Sequence, residues 1–250
     1  MPIFAFIPSR YASTRFPGKS LAMIAGKPMI QHTYSCAARC PDISEVYVVT
    51  DDDRIFKCVE NFGGKAVMTK ENHPSGSDRI AEAIESLKLV DNDIIVNIQG
   101  DQPYFNPSVI SDMVKPLIDD ETIPMSTLKY RIHDREEINN SNIVKVVSDK
   151  NDYALYFSRS PVPFYREKNA EHEYFKHLGF YAYRKDFIIE FNRMPGGKLE
   201  TAEKLEQLRA MENGYRMKVM ETPHNSIEVD TIEDLRKVEE LIINSEKNYD

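Results

Sequence analysis

A short apolar run near the start of the chain leads directly into a basic, turn-rich loop. The run Ile3 to Ile7 has no polar face, which predicts a buried strand. The loop after it carries Arg10, Arg15 and Lys19, three cations within ten residues, whereas the first acidic residue is Asp42. The whole chain has a formal net charge of −8, so this segment stands apart from the rest. The sequence therefore predicts a cationic loop at the end of a buried first strand.

The residue types of this loop suit a polyanion such as a triphosphate. An arginine guanidinium matches phosphate oxygens as a planar fork, and a lysine ammonium acts as a mobile point charge. Ser13, Thr14 and Gly18 complete the turn-rich stretch. A solvated basic loop without a ligand is the alternative, and the loop alone does not decide between the two.

A carboxylate follows a second strongly apolar run. The run Ile94 to Ile98 reads as a parallel strand covered on both sides, and it leads through Gln99 and Gly100 to Asp101. In open α/β sheets, ligands bind at the carboxyl ends of the strands. This position favours a ligand-binding role for Asp101.

A second carboxylate, Asp230, precedes a helix-start pattern. Thr231 and Asp234 have the spacing of a capping box, which predicts a strand-to-helix junction at Asp230. Either aspartate alone is explained as an ordinary cap or turn residue. Because oxygen ligands suit Mg²⁺, Asp101 and Asp230 facing the basic loop predict a site for Mg²⁺ and a triphosphate.

Strands and helices alternate through the first hundred residues, which predicts an α/β fold with a doubly wound, mostly parallel sheet of the Rossmann-like, nucleotidyltransferase type. The predicted strands after the first are Val46–Val49, Lys65–Met68 and Ile94–Gln99, and the predicted helices are Pro28–Arg39, Asp52–Phe62 and Ser77–Lys88. A last helix is predicted after Asp230, preceded by a helix Thr201–Asn213 and a strand Arg216–Met220.

The middle of the chain has a different pattern. Its helices are weaker, tyrosine and phenylalanine are denser, and strands are predicted at Met125–Tyr130, Ile143–Val147 and Leu178–Tyr183. We interpret residues 124–194 as a smaller, partly antiparallel inserted subdomain, and the sugar-binding and dimerisation roles expected for it come only from the family resemblance given below. Residues 1–123 and 195–250 then form the nucleotide-binding core.

Composition excludes several classes of protein. A pI near 5.4 argues against nucleic-acid binding. No run approaches the length of a membrane span and the N-terminus lacks a signal pattern, so we expect a cytoplasmic protein without membrane contact. Cys36, Cys40 and Cys58 are expected to be reduced thiols rather than metal ligands.

Seven motifs together resemble one enzyme family. They are IPSRYASTRFPGK from residue 7, SGSDR from 75, NIQGDQP from 97, YALYFSR from 153, KHLGFYAY from 176, LEQLR from 205 and VDT from 229. In this order they resemble the 3-deoxy-manno-octulosonate cytidylyltransferase family, also called CMP-Kdo synthetases, over about residues 3–241. The resemblance implies a cytosolic homodimer that uses CTP and Mg²⁺ to activate the sugar acid Kdo for bacterial lipopolysaccharide.

The resemblance also implies roles for individual residues. It strengthens the catalytic assignments, which are Arg10, Arg15, Lys19, Asp101 and Asp230, the last two as Mg²⁺ ligands. The nucleotide-binding set is Arg10, Ser13, Lys19, Ser75, Gly76, Asp78 and Gln99. The sugar-binding set is Arg159, His177, Tyr181, Glu206 and Gln207. On their own, Ser75 and Gly76 also fit an ordinary turn before a helix cap, and Glu206 and Gln207 fit a solvated helix face.

Two positions depart from the family pattern. The family reads QGDEP where this chain has Gln102, and it has glycine where this chain has Glu228. Both changes resemble the branch that activates 8-amino-3,8-dideoxy-manno-octulosonate. An added carboxylate favours a cationic substituent, which makes the amino sugar an alternative substrate.

Other readings of the chain remain open. One is another sugar-acid cytidylyltransferase, and a second is a glycosyltransferase-A type enzyme that uses a finished sugar nucleotide. A non-catalytic ligand-binding module is a third. The run Asp51 to Asp53 resembles a glycosyltransferase metal motif, but acids at a helix N-terminus explain it better.

Overall fold

The computed structural model describes residues 1–12, 16–90, 92–167 and 172–247. Its strands are β1 (Ile3–Ser9), β2 (Met23–Ile24), β3 (Lys27–Pro28), β4 (Glu45–Thr50), β5 (Lys65–Met68), β6 (Ile94–Asn97), β7 (Met125–Arg131), β8 (Lys145–Ser148), β9 (Ala154–Ser158), β10 (Phe175–Arg184) and β11 (Lys218–Glu221). Its α-helices are α1 (Met29–Ala38), α2 (Asp53–Asn61), α3 (Gly76–Leu87), α4 (Ser108–Asp119), α5 (Arg135–Asn139), α6 (Lys185–Arg193), α7 (Lys198–Glu203), α8 (Leu208–Glu212) and α9 (Ile232–Lys247). None of the helices in these ranges is both long and apolar enough to cross a bilayer.

Nine of the described strands form one sheet. Seven of them follow the order β11-β7-β10-β6-β1-β4-β5, and the β8–β9 pair joins β10 beside this path. Strand β1 runs parallel to both β4 and β6, whereas β10 runs antiparallel to β6 and β7. The predicted fold class, a mostly parallel α/β sheet with antiparallel strands, is confirmed.

Helices cover both faces of the sheet because its central strands are apolar on both sides. Along β1, Ala5 and Ile7 pack into one core with α1, α2 and α4, while Phe6 packs into a second core with α3, α6 and α8. All four residues of β6 are buried. Side chains alternate between the two faces of a strand, so a run without polar residues must be covered twice.

The predicted insertion at residues 124–194 is continuous with the sheet. Strands β7 and β10 lie within its main path, so the boundary at residue 124 does not coincide with an edge of the sheet. The antiparallel character of this segment is as predicted. Its role as a sugar-binding and dimerisation unit stays a prediction.

Two details of the predicted helices are wrong. The helix Thr201–Asn213 is in fact α7 and α8, because Lys204 at the end of α7 has a left-handed φ of 54°. Helix α3 is capped by Ser75 and not by Ser77, since Ser75 Oγ accepts a hydrogen bond from the Asp78 amide at 3.2 Å. In the first case the left-handed backbone of Lys204 interrupts a helical pattern, and in the second the capping residue lies two positions earlier than predicted.

Phe180 supports the site end of the sheet, and we predict that Phe180→Leu lowers the free energy of unfolding. The ring is fully buried and meets Phe105 edge-to-face at 5.0 Å, beneath the segment that follows Asp101. Smaller side chains in a core leave part of the volume unfilled, so the expected loss is about 1 to 2 kcal/mol by urea denaturation. Ile118→Val is the control, since it also shortens an apolar side chain and Ile118 is 49% exposed. Equal effects of the two substitutions would contradict this packing role.

Candidate active site

Three distant parts of the chain meet at one lysine. Lys19 Nζ lies 2.6 Å from Asp101 Oδ2 and 3.2 Å from Asp230 Oδ1, and it also donates to the Val229 carbonyl at 3.1 Å. The three charged side chains are between 15% and 29% exposed. The predicted convergence of the basic loop and the two aspartates is therefore observed, whereas their catalytic roles stay predictions.

Backbone packing brings the end of β6 against the end of β1. A Cβ atom on Gly100 would lie 2.9 Å from the Pro8 carbonyl oxygen, so only glycine fits this approach without a shift. Asp101 follows directly, and its carbonyl accepts a hydrogen bond from the Val229 amide at 2.8 Å. This bond fixes the segment with Asp230 beside Asp101.

The capping box predicted after Asp230 is present. Thr231 Oγ1 accepts from the Asp234 amide at 3.2 Å, and Asp234 Oδ2 accepts from the Thr231 amide at 3.0 Å. The start of α9 is thereby fixed.

A tight turn in the loop after β1 positions Lys19. The Gly18 amide donates to the Tyr11 carbonyl at 2.9 Å, and Gly18 has a φ of 71°, so the chain turns directly before Lys19.

The charges at this point are strongly coupled. Burial lowers the pKa of Lys19, but the charges and hydrogen bonds of Asp101 and Asp230 outweigh it, so the pKa is raised above its usual value. Burial, together with the charges of the same two aspartates, raises the pKa of Glu228 to about 7. The cluster thus contains a firmly charged lysine and, beside the two aspartates, a third carboxyl whose pKa is raised.

A cavity of about 380 Å³ opens above the strand ends. Most of the predicted nucleotide-binding and catalytic residues line it: Arg10, Lys19, Ser75, Gly76, Gln99, Asp101 and Asp230. Asp78 is not in its wall, and it contacts the cavity only through Ser75, whose Oγ donates to Asp78 Oδ2 at 2.7 Å. Ser13 and Arg15 lie outside the described residues.

The positions of Ser75 and Gly76 fit both of the alternatives that the sequence left open, and their nucleotide-binding role stays a prediction. Ser75 caps α3, and it also lines the cavity. A Cβ atom on Gly76 would lie 3.0 Å from the Pro8 side chain, so glycine lets the start of α3 lie close to β1. A helix N-terminus that opens into a cavity presents backbone amides to an anion or a polar ligand.

A second cavity, of about 720 Å³, adjoins the first. Asp230 lines both cavities. Of the predicted sugar-binding residues, Arg159 and His177 line the second cavity, whereas Tyr181, Glu206 and Gln207 line neither. Two lysines that the sequence analysis missed, Lys176 and Lys237, are in its wall.

The remaining predicted sugar residues line neither cavity, and of the three only Gln207 is buried, at 4% exposure. The ring of Tyr181 lies 5.3 Å from that of His177, and Glu206 Oε2 accepts a hydrogen bond from Ser77 Oγ at 3.0 Å. Burial raises the pKa of Glu206, whose side chain is 31% exposed. Glu206 Oε1 and Gln207 Nε2 are buried atoms without a hydrogen-bond partner among the described residues. The solvated-face alternative is therefore wrong for Gln207, whereas Glu206 is half-buried.

Two of the sugar candidates are already held by the protein. Arg159 donates from Nε to the Glu203 carbonyl at 2.7 Å and from Nη1 to the Ser141 carbonyl at 2.9 Å. His177 Nε2 lies 2.9 Å from Thr127 Oγ1, and burial lowers the pKa of His177 to about 3. The imidazole is therefore neutral, and the guanidinium retains further donors for a ligand.

The acidic run at residues 51–53 has structural partners. Asp52 caps α2, because its Oδ1 accepts from the Arg54 amide at 2.9 Å. Asp51 pairs with the buried Arg79 at 2.9 Å. The helix-start interpretation of this run is confirmed, and Arg79, the last residue of the SGSDR motif, lines the first cavity.

Comparison with known proteins identifies the family. A family model described as cytidylyltransferase matches residues 4–222. The chain belongs to the cytidylyltransferase family. Proteins named 3-deoxy-manno-octulosonate cytidylyltransferase from Syntrophus aciditrophicus and Geobacter sulfurreducens are each 52% identical to it, over 96% and 97% of this chain and 97% and 100% of their own length. The structure of CMP:2-keto-3-deoxy-manno-octonic acid synthetase complexed with CTP has a TM-score of 0.92 and 40% identity, and the match covers 98% of this chain and 100% of that chain.

The carboxylate pair of this cytidylyltransferase fits a magnesium ion. The described residues contain no group of three or more histidine, cysteine, aspartate or glutamate side chains arranged to hold a metal. Mg²⁺ is commonly bound through one or two carboxylates, with substrate phosphates and water as its other ligands. Asp101 and Asp230, both partly exposed in the wall of the first cavity, supply such a set.

Proposed function

We propose that this nucleotidyltransferase transfers CMP from CTP to the anomeric hydroxyl of a 3-deoxy-octulosonate sugar acid and releases pyrophosphate for lipopolysaccharide biosynthesis. The observation that carries the proposal is the pair of adjoining cavities that share Asp230, with Lys19 and Asp101 beside it. One cavity is lined by the cations that suit a triphosphate, and the other takes the second substrate. The names of the relatives and the CTP complex of the similar structure support this choice.

The main obstacle to the reaction is repulsion between a sugar carboxylate and a triphosphate. The sugar hydroxyl oxygen forms a bond to the α-phosphorus while the bond to the pyrophosphate oxygen breaks. Arg10 and Lys19, both in the wall of the first cavity, offset the negative charge of the phosphates. Lys19 is the better placed of the two to follow charge on the transferring phosphate, since its ammonium contacts both aspartates.

Asp101 and Asp230 are proposed as the residues that hold Mg²⁺. When bound, the ion would offset the negative charge of the phosphates and of the leaving pyrophosphate. Because Asp230 faces both cavities, its carboxylate lies where nucleotide and sugar approach each other. The protein's own contribution is to hold the two aspartates and Lys19 in one fixed arrangement before the substrates bind.

The second cavity contains both cations and carboxyl groups. Its cations are Arg159, Lys176 and Lys237, and His177 is a neutral polar group there. Its acidic residues are Glu137, which pairs with Lys176 at 2.8 Å, and Glu228, Asp230 and Asp234. A sugar carboxylate is well held by arginine or lysine, and sugar hydroxyl groups are well held by histidine and carboxyl groups. Tyr181, Glu206 and Gln207 are kept with Arg159 and His177 as the proposed sugar-binding set.

The experiment that tests the proposal is a release assay with purified protein. CTP, Mg²⁺ and Kdo together are expected to give pyrophosphate and CMP-Kdo in equal amounts, and omission of any one of the three should abolish the signal. A glycosyltransferase would instead consume a finished sugar nucleotide without pyrophosphate release. Absence of pyrophosphate with every sugar acid tested would contradict the proposal, and product from a different sugar acid would correct only the sugar.

A polar pair at the wall of the second cavity favours the 8-amino sugar as a second candidate substrate. Glu228 lines the second cavity, and Gln102 Nε2 donates to Glu228 Oε1 at 3.2 Å. Gln102 is fully buried and its Oε1 has no hydrogen-bond partner among the described residues. A Cβ atom on Gly179 would lie 3.4 Å from Glu228 Oε1, so glycine keeps this side open for Glu228. A cationic amine would be favoured beside this carboxyl.

We predict that Glu228→Gln shifts the sugar preference toward the hydroxylated form. The change removes a negative charge but keeps the shape, so kcat/KM for the amino sugar relative to Kdo should fall by about 10-fold. The measurement is competition between the two sugars at one CTP concentration. Glu233→Gln, on the exposed start of α9, is the control. A wild-type preference for Kdo that is unchanged in Glu228→Gln would rule out the amino-sugar candidate.

Homodimer formation and a cytoplasmic location are further parts of the proposal. Leu155 is 60% exposed and Phe164 is 89% exposed, and both lie in the segment predicted to mediate subunit contacts. Exposed apolar side chains grouped in one segment are typical of an interaction surface. Light scattering after size exclusion should give twice the chain mass of 28.8 kDa, and a value equal to that mass would contradict the dimer.

A further inference from the structure

A histidine without an assigned role lines the first cavity. His73 lies in the loop between β5 and α3, and its side chain is 17% exposed. Its Nε2 is in close contact with Oε2 of Glu82 on α3. Within the described part of the chain, Nδ1 has no hydrogen-bond partner. One ring nitrogen is therefore held by the protein, and the other is free for a ligand.

The contact with Glu82 fixes which nitrogen carries the proton. A carboxylate oxygen is an acceptor, so the imidazole must donate from Nε2. In the neutral ring Nδ1 is then an acceptor. Burial alone would raise the pKa of Glu82, but hydrogen bonds from His73 and from the Lys70 amide outweigh it and lower the pKa. Glu82 is thus an ionised partner that holds the ring.

The loop that carries His73 is fixed to α3 through both backbone groups of Lys70. The Lys70 amide donates to Glu82 Oε2 at 3.0 Å, and the Lys70 carbonyl accepts from Arg79 Nη1 at 3.3 Å. Arg79 is 4% exposed and also donates to Thr69 Oγ1 at 2.5 Å. Because α3 satisfies these groups, the loop is held in place before any ligand binds.

His73 lies in the wall of the same cavity as the proposed phosphate-binding cations, but it comes from a different part of the chain. Arg10 and Lys19 follow β1, whereas His73 lies in the loop that leads from β5 into α3. This loop returns toward β1, because a Cβ atom on Gly76 at the start of α3 would lie 3.0 Å from the Pro8 side chain. Phosphate oxygens are acceptors, whereas a nucleoside carries hydrogen-bond donors, so an acceptor nitrogen in this wall suits the nucleoside.

We propose that His73, positioned by Glu82, contacts the nucleoside part of the nucleotide. This inference rests on the proposed use of CTP. Nδ1 accepts a hydrogen bond either from the exocyclic amine of cytosine or from a ribose hydroxyl, and both are donors of the kind that Nδ1 requires. Glu82 does not line the cavity and acts only through the orientation of His73.

Calorimetric titration with three probes tests the inference. His73→Ala is expected to weaken CMP binding by about 10-fold, the loss of one good hydrogen bond, and to leave binding of inorganic tripolyphosphate within about 2-fold. Glu82→Gln should weaken CMP binding by about 3-fold because it leaves the ring less firmly held. UMP distinguishes the two donors, since it lacks the amine: an unchanged UMP affinity in His73→Ala indicates the base, and a matching loss indicates the ribose.

Controls separate a binding role from a structural one. His133→Ala, at an exposed position outside both cavities, should leave all three affinities unchanged. His73→Asn keeps a polar side chain in case His73→Ala does not fold. In the wild type, CMP but not tripolyphosphate is expected to protect His73 from diethyl pyrocarbonate, as located by mass spectrometry.

Two results would overturn the inference. One is unchanged CMP affinity in a folded His73 variant together with no protection of His73 by CMP. The other is an equal loss of CMP and tripolyphosphate binding, which would make His73 a phosphate contact. If the wild type binds no cytidine nucleotide at all, the proposed function fails, and this outcome is distinct from binding that does not depend on His73.

Discussion

Replacing Asp230 with asparagine is expected to lower kcat/KM for CMP transfer by about 10³-fold, and Asp101→Asn should have a similar effect. Asparagine has the size of aspartate but no charge, so a lower kcat/KM would result from the missing carboxylate charge and not from a packing defect. Both side chains contact Lys19, and Asp230 is shared by the two cavities. Each variant would keep only one of the two carboxylate charges that are proposed to hold Mg²⁺ and that pair with Lys19.

The measurement is steady-state pyrophosphate release over a range of Mg²⁺ concentrations. The variants should need more Mg²⁺ for half-maximal rate, because a ligand with charge has been lost. Asp119→Asn is the matched control, since Asp119 is 58% exposed and its ion pair in the described part of the chain is with Lys115 on the same helix. Rates within about 2-fold of wild type for both Asp101→Asn and Asp230→Asn would contradict the metal-holding role.

Lys19→Met is expected to lower kcat/KM for CTP by about 10²-fold, because a charge that stabilises the transferring phosphate is removed. Methionine keeps the length and apolar stem of the side chain. The two aspartates would then face each other without the ammonium that lies 2.6 and 3.2 Å from them. Lys19→Arg should recover only part of the activity, since a planar fork does not replace a compact ammonium that contacts three acceptors.

Lys27→Met is the control for charge alone. Lys27 is an exposed lysine in the same part of the chain, and it lines neither cavity. Its removal changes the net charge by the same amount, so equal losses in both variants would show that overall charge and not the Lys19 contact is responsible. A full recovery by Lys19→Arg would also argue against a specific role for the ammonium.

The centre of the site could be predicted from the sequence because it depends on strand ends. Apolar runs that end in Asp101 and in the loop with Lys19 define two neighbouring strands of a parallel sheet, and the ends of such strands meet at one edge. The capping box after Asp230 gave its position as well. These are local signals, and each is tied to a definite place in an α/β fold.

Other parts of the site depend on tertiary contacts that no local pattern contains. His73 became a candidate only because Glu82 on α3 holds it at the cavity wall. The contact between Gln102 and Glu228 joins residues 126 positions apart, and the sequence showed only that both depart from the family. Lys204, which separates α7 from α8, has a left-handed backbone that a sequence usually signals with glycine, and this position is a lysine.

The hydrogen bond from the Val229 amide to the Asp101 carbonyl joins main chain to main chain. Side-chain replacement therefore leaves this hydrogen bond intact, so the backbone sets the spacing between the two aspartates. The neighbouring positions 102 and 228 are free to diverge under selection for a new sugar, while the reacting centre keeps its dimensions. An enzyme built in this way can change its substrate in evolution without having to reinvent its chemistry.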